Sequence, residues 1–152
     1  MSVPIDPNNP VVKLCAAGIQ AEGLGRFDEA RELYRQAWEA SRDDFEACIA
    51  AHYLARGQES AQENLRWNLE ALHRAEAAGE ERARGFLPSL YLNLGFSYEQ
   101  LGNTGEAGRC YDLASGCLDS LPAGPYRETV QGGIRAGQAR APTRQKGEEG
   151  RS

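Results

Sequence analysis

The sequence has few of the residues that build β-sheets. Valine, isoleucine and threonine together supply 11 of the 152 residues, whereas alanine alone supplies 22. β-Branched residues favour strands, and Ala, Leu, Glu, Gln and Arg favour helices. The composition therefore predicts an all-helical protein, and it excludes β-sandwiches, β-barrels and nucleotide-binding folds built on a parallel sheet. The 17 glycines are many for a small helical protein and need an explanation.

The sequence also lacks a basic surplus and a long apolar run. Only 2 of the 17 basic residues are lysine, and the formal net charge is −5, which argues against nucleic acid as a partner. No apolar run is long enough to cross a bilayer, so no membrane partner is expected. The first ten residues, MSVPIDPNNP, contain no basic or apolar region typical of a signal peptide. A cytoplasmic location is predicted.

The four cysteines form no C-x-x-C pair and are predicted to be free, buried thiols (Cys15, Cys48, Cys110 and Cys117). Cys48 and His52 are four residues apart on a predicted helix, yet a structural zinc needs four ligands. No serine has histidine and acid partners at a recognisable spacing. The sequence therefore predicts no metal site, no cofactor and no catalytic residue.

Apolar residues at spacings of three and four predict seven helices. Helix starts are indicated by Asn9-Pro10 and by Asp43 with Glu46 three residues later, and helix ends by glycine. The predicted segments run from Asn9 to Gly25, Phe27 to Trp38, Asp43 to Gly57, 60–80, Pro88 to Gly102, Ala107 to Pro122, and onward from Pro125.

The sequence contains an internal repeat. When the segment 14–37 is aligned with the segment 91–114, 8 of the 24 positions carry the same residue, far above chance. Small, turn-forming and aromatic residues dominate the shared set, which is Gly18/Gly95, Glu22/Glu99, Leu24/Leu101, Gly25/Gly102, Glu29/Glu106, Ala30/Ala107, Tyr34/Tyr111 and Ala37/Ala114.

These residues resemble a known repeat. The segment from Ala17-Gly18 through Gly25, Phe27, Ala30 and Tyr34 to Ala37 resembles a tetratricopeptide repeat (TPR), and Leu94-Gly95-x-x-Tyr98 through Tyr111 to Ala114 resembles it more closely. The chain is similar to short actinobacterial proteins of this family. The resemblance implies an all-α fold of antiparallel helical hairpins, stacked as a short right-handed solenoid with a C-terminal capping helix.

The resemblance also implies a domain organisation. We expect an N-terminal extension (1–9), a helical domain (10–140) and a disordered tail (141–152). Within the domain, repeats are expected at about 11–44 and 88–121, with a capping helix at 125–139. A degenerate repeat with a lengthened second helix is expected at 45–80, where His52 and Asn64 replace small residues.

TPR hairpins line a concave groove with their first helices, and the groove binds a peptide or a partner helix. The alternative is that several of the predicted groove residues, which are given at the end of this paragraph, simply belong to the core. Ile19 and Ile49 are the first candidates for this alternative. Cys15 and Ile19 stand where carboxylate-binding members have basic residues, so an apolar ligand is expected. The partner-binding residues predicted are Cys15, Ile19, Ile49, Tyr53, Arg56, Leu92, Asn93, Phe96 and Glu99, with Val12, Glu22 and Glu46 on or near the same surface.

The predicted function is a non-catalytic interaction or scaffold module for a protein or peptide. An alternative is a small-molecule sensor or accessory protein with an apolar pocket. An rRNA adenine methyltransferase is least supported, because Glu22-Gly23-Leu24-Gly25 lacks the required glycine spacing and follows a helix.

Trp38 is expected to pack between repeats. The helix around Trp67 is expected to be core, with a homodimer surface as the alternative.

Overall fold

The computed structural model describes residues 6–143, and every regular element among them is helical. Neighbouring helices pack in pairs, which confirms the predicted all-α, TPR-like class. Short 3-10 turns lie at Arg84–Phe86 and Leu118–Ser120. The α-helices are α1 (Pro10–Gly23), α2 (Phe27–Ala40), α3 (Asp44–Arg56), α4 (Ala61–Ala78), α5 (Glu80–Ala83), α6 (Leu87–Gln100), α7 (Thr104–Gly116) and α8 (Pro125–Arg140).

Local signals in the sequence set most helix ends. The side chain of Asn9 accepts hydrogen bonds from the backbone N–H groups of Val11 and Val12, at 2.8 and 3.2 Å, and so caps α1. Gly25 and Gly102 both have φ of +79° in the turns that close α1–α2 and α6–α7. The helix predicted at roughly 60–80 corresponds to α4, and Gly79, with φ of +100°, separates α4 from the short α5.

The described residues divide into two compact units, an N-terminal unit (6–86) and a C-terminal unit (87–143). The N-terminal unit contains α1–α5, with α1 packed on α2, α2 on α3, and α3 on α4. The C-terminal unit contains α6–α8, with α6 packed on α7 and both of them on α8. Each unit thus holds a helical hairpin followed by a third helix that contacts both of its members.

Each unit has its own core, and small residues let the helices approach closely. In the N-terminal unit one buried cluster is Val11, Cys15, Ala37, Phe45, Ile49 and Ala50, and a second is Ala21, Ala30, Tyr34 and Leu54. In the C-terminal unit the clusters are Ala114, Leu118, Leu121, Val130 and Ile134, and Ala107, Tyr111 and Ala141.

Packing continues just beyond α8. Ala141 is buried, and the hydroxyl of Thr143 donates to the Asp112 carboxylate at 2.7 Å, so the first residues of the predicted tail lie on α7. The remainder of that tail (144–152) and the start of the predicted N-terminal extension (1–5) lie outside the described residues. Between residues 6 and 143, no helix has the length and apolarity that a membrane span requires.

Candidate functional site

One glutamate joins three helices of the N-terminal unit. Glu22 lies near the end of α1, Tyr34 in α2, and Arg56 is the last residue of α3. The buried hydroxyl of Tyr34 donates to Oε2 of Glu22 at 2.6 Å. Nη2 of Arg56 donates to Oε1 of the same carboxylate at 2.7 Å. We call Glu22, Tyr34 and Arg56 the N-terminal trio.

The charges in this trio are stabilised by their neighbours. The hydrogen bond from Arg56 is the main cause that lowers the pKa of Glu22, and the bond from Tyr34 adds to it against the effect of burial. Burial, and then the hydrogen bond to Glu22, raise the pKa of Tyr34 well above its usual value. At neutral pH the trio therefore holds a carboxylate, a guanidinium and a neutral phenol, and none of them titrates near neutrality.

The C-terminal unit contains the same arrangement. The Tyr111 hydroxyl donates to Glu99, and the Arg140 guanidinium donates to both oxygens of that carboxylate at 3.0 Å. Hydrogen bonding from Arg140, and less strongly from Tyr111, lowers the pKa of Glu99. Glu99, Tyr111 and Arg140 are the C-terminal trio, and they come from α6, α7 and α8.

A glycine makes room for the tyrosine in each hairpin. A Cβ atom added at Gly18 would lie under 3.0 Å from ring atoms of Tyr34, and one added at Gly95 would be equally close to Tyr111. Both tyrosines are fully buried. The internal repeat of the sequence therefore marks a contact that only glycine allows between the two helices of a hairpin.

The third helices meet these tyrosines differently. In the N-terminal unit, the ring of Tyr53 in α3 stacks on Tyr34 with centroids 5.6 Å apart and planes 25° apart. In the C-terminal unit, Gly137 in α8 lies directly against the Tyr111 ring, because a Cβ there would approach the ring atoms to under 3.0 Å. Each residue precedes the trio arginine of its own helix by three positions.

A cleft of about 490 Å³ opens beside the N-terminal trio. One wall comes from the start of α2, and the other from the end of α3 and the residues that follow it. We call it the trio cleft, and its lining is Glu22, Phe27, Ala30, Arg31, Tyr34, Arg56, Gly57 and Glu59.

A second cleft, of about 600 Å³, lies along the α2–α3 connection and is mostly polar. Trp38 lines it and packs edge-on against Trp67 of α4 with ring centroids 5.0 Å apart. The Arg74 guanidinium lies 5.2 Å from the Trp38 ring and is 3.0 Å from Asp44. Trp38 thus packs between consecutive helical hairpins, as its position in the sequence suggests.

The predicted partner-binding residues fall into both units. Cys15 and Ile49 are buried in the first core cluster, so they do not present a surface. Ile19 is 43% exposed and Phe96 is 41% exposed. The remaining residues are partly buried or belong to the trios, namely Tyr53, Arg56, Leu92, Asn93 and Glu99. That these residues form one groove stays a prediction.

The cysteines and histidines show no reactive arrangement. Burial raises the pKa of Cys15 and of Cys48 to about 12, so both are neutral thiols at physiological pH. Burial, and to a smaller extent the positive charge of Arg56, lower the pKa of His52 to about 4. In the part of the chain that the structure describes, no three His, Cys, Asp or Glu residues are grouped as metal ligands would be.

The sequence does not single out two of the residues that surround Tyr111 in the C-terminal unit. These are Arg140 of the C-terminal trio and Gly137, which lies against the Tyr111 ring. The alignment that pairs Gly18 with Gly95 matches the hairpins but not the helices that follow them. Glu22 and Arg56 are 34 residues apart, whereas Glu99 and Arg140 are 41 apart. A second alignment with a larger offset would have matched Arg56 with Arg140.

Comparison with protein families confirms one of the predicted repeats. The sequence model of the tetratricopeptide repeat matches residues 88–115, which span most of α6 and α7. This is the segment that resembles the repeat more closely in the sequence. The chain matches none of the curated proteins.

Proposed function

We propose that this protein of the tetratricopeptide-repeat type is a non-catalytic interaction module that binds a peptide or a partner helix. Repeats of this type generally mediate contacts between proteins. The proposal includes a scaffold role in the cytoplasm. A homodimer through α4, where Leu69 is 42% exposed, stays an alternative prediction.

The observation that carries the proposal is a matched pair of exposed apolar residues. Ile19 and Phe96 occupy the same repeat position on the first helix of each hairpin, directly after Gly18 and Gly95. Both remain more than 40% exposed. Apolar side chains that stay exposed at corresponding places support, in each unit by itself, a contact with an apolar side chain of a partner.

Phe96 is also held in place. Its ring meets Tyr111 edge-on with centroids 6.0 Å apart, and the Arg140 guanidinium lies 5.4 Å from its centroid. Arg140 is in turn fixed by Glu99. An aromatic ring that is ordered before binding loses little conformational entropy when a partner covers it, so Phe96 is suited to anchor a contact.

The experiment is affinity purification of the tagged full chain from its native cell, followed by quantitative mass spectrometry. We expect Phe96→Ala and Ile19→Ala to reduce the recovery of a specific partner by about tenfold or more, the effect of losing an anchor residue. Leu113→Ala is the control, because Leu113 is 39% exposed but lies on the second helix of its hairpin. Circular dichroism establishes that each variant is folded. Equal recovery with wild type, both variants and the control would reject the proposal.

A small-molecule role has one observation in its favour. The trio cleft, at about 490 Å³, is within the range of small-ligand sites. Four of its eight lining residues are charged, although most of its exposed lining is apolar. Native mass spectrometry of the purified full chain would reveal a bound small molecule as a stoichiometric mass increment.

A further inference from the structure

The trio cleft has an exposed aromatic ring at its edge. Phe27 opens α2 and is 63% exposed, although it lines a cleft. In the C-terminal unit the corresponding residue is Thr104, which is much smaller. An aromatic ring over a cleft offers both apolar area and a negative face that attracts cations.

Two highly exposed carboxylates, those of Glu59 and Asp28, pair with a guanidinium that lines this cleft. Arg31 forms ion pairs with Asp28 and with Glu59, the latter at 3.0 Å. Asp28 and Glu59 are 93% and 86% exposed, so their pairs with Arg31 contribute little and can be shared with a second cation. Arg56 is matched by Glu22. The lining of the cleft thus holds two carboxylates and two guanidiniums, and the exposed Asp28, which pairs with Arg31, adds a further carboxylate.

This protein repeatedly places an arginine between an aromatic ring and a carboxylate. Arg82 lies 4.3 Å from the Phe45 centroid and 3.7 Å from Asp43. The same combination joins Arg74, Trp38 and Asp44, and it joins Arg140, Phe96 and Glu99. Phe27 has carboxylates near it, but among residues 6–143 no cation lies over its ring.

The charge of the whole N-terminal region points the same way. Residues 2–86 contain fifteen acidic and ten basic residues, whereas residues 87–152 contain seven of each. The net charge of −5 thus belongs entirely to the part of the chain that holds the trio cleft. Complementary charge speeds the encounter with a basic partner and disfavours an acidic one.

We propose that the trio cleft binds an arginine or lysine side chain from a basic segment of a partner protein. The cation lies over the Phe27 ring, which is 63% exposed, and is paired with the exposed carboxylates of Glu59 and Asp28. This inference rests on the proposed interaction function and names the chemistry of the partner. It also assigns the contact to residues other than Ile19 and Phe96.

The test measures fluorescence anisotropy of two labelled peptides titrated with the full chain. One peptide repeats Gly-Leu-Arg-Ser, and its twin carries Glu in place of each Arg. We expect the basic peptide to bind at least about tenfold more tightly than the acidic twin, with affinity that falls as salt rises. Phe27→Ala and Glu59→Gln should each weaken binding about threefold or more.

Two matched controls separate the cleft from general charge and apolarity. Glu29→Gln removes the same charge from the same unit, and Leu24→Ala removes an apolar side chain that is 69% exposed. Neither residue lines the cleft, so both variants should bind as the wild type does. The inference is overturned if neither peptide binds, if the acidic twin binds as tightly, or if the controls lose as much affinity as the cleft variants.

The two proposals can fail separately. A native partner that is lost with Phe96→Ala but retained with Phe27→Ala and Glu59→Gln overturns the inference and leaves the interaction function in place. Conversely, if peptide binding depends on the cleft residues and partner recovery is unchanged in Ile19→Ala and Phe96→Ala, the inference is supported and the role of Ile19 and Phe96 in partner binding is rejected.

Discussion

Helices α1–α3 surround one Glu–Tyr–Arg trio, and helices α6–α8 surround an equivalent one. The two sets differ in how the third helix packs against the tyrosine. In both sets a glycine admits a buried tyrosine, and the tyrosine and an arginine bind one glutamate. The third helix then presents Tyr53 to Tyr34 in one set and Gly137 to Tyr111 in the other. The hairpin is thus the constant part, and the helix that follows it can bring either a ring or bare backbone.

A second pair of positions shows an exchange of large and small residues. Gly57, after α3, lies against the side chain of Arg31 in α2. At the corresponding places of the other set, Gly108 in α7 lies against the backbone oxygen of Ala141 and the side chain of Thr143. Glycine stands on opposite sides of the two contacts. The close approach of two segments needs one glycine, and that glycine can lie in either of the two segments.

The strongest test of the shared part is to fill the glycine positions. Gly18→Ala and Gly95→Ala should each lower the free energy of unfolding by about 2–3 kcal/mol, because the new methyl group displaces a fully buried ring. Urea denaturation gives the free energy, and hydrogen exchange shows which unit opens. Gly132→Ala is the control, since nothing lies within 4 Å of a Cβ there. It should gain up to about 1 kcal/mol from helix propensity. A stabilising effect at Gly18 or Gly95 would contradict the close contact.

A smaller effect on the free energy of unfolding should depend on pH in α1–α3 but not in α6–α8. His52, next to Tyr53 in α3, has its pKa lowered to about 4 from 6.5, whereas the corresponding position in α8 is Ala136. The unfolded chain takes up this proton near pH 6.5 and the folded chain only near pH 4, so stability falls as pH drops through this window. By pH 5 the loss is on the order of 2 kcal/mol. Urea titrations at several pH values should show it in wild type and not in His52→Gln, and an equal slope in the variant would exclude His52 as the cause.

The smallest effect should be the same in both sets. The pKa values of Glu22 and Glu99 are lowered from 4.5, so each carboxylate stabilises the fold above that pH, and the contribution is lost as the pH falls through the lowered value. Glu22→Gln and Glu99→Gln should each cost about 1 kcal/mol at neutral pH, since the paired arginines are about half-exposed. The difference from wild type, measured by urea denaturation, should shrink in acid. Glu128→Gln, which removes a carboxylate outside the trios, is the control for the loss of one negative charge.

Most of the helical fold could be predicted from the sequence because its signals are local. Asn9 caps α1, and Asp43 accepts from the backbone N–H of Glu46 at 2.8 Å, as the capping pattern predicts. The carboxylate of Glu46, however, accepts from Asn9 and from the backbone of Arg42. That use depends on how α1 meets α3, which the spacing within α3 does not reveal.

The burial of the predicted site residues was also hard to predict, because it depends on contacts between helices. Cys15 and Ile19 are one helical turn apart in α1, yet the first is buried and the second is exposed. Which of them is covered depends on where α3 crosses the hairpin. The internal repeat did not pair Arg140 with Arg56, because the connection before α8 is longer than the one before α3. An alignment at one fixed offset no longer matches once a connection changes length.

The unequal spacing of the two trios also has a consequence for building with this chain. Arg56 and Arg140 reach equivalent glutamates although one must span 34 residues and the other 41. The connection before the third helix can therefore change length while the ion pair is kept. Insertions, tags or a foreign loop placed between Leu121 and Pro125, after the buried Leu118 and Leu121, should be tolerated, and the third helices should be interchangeable modules provided that each keeps its arginine in register with the glutamate.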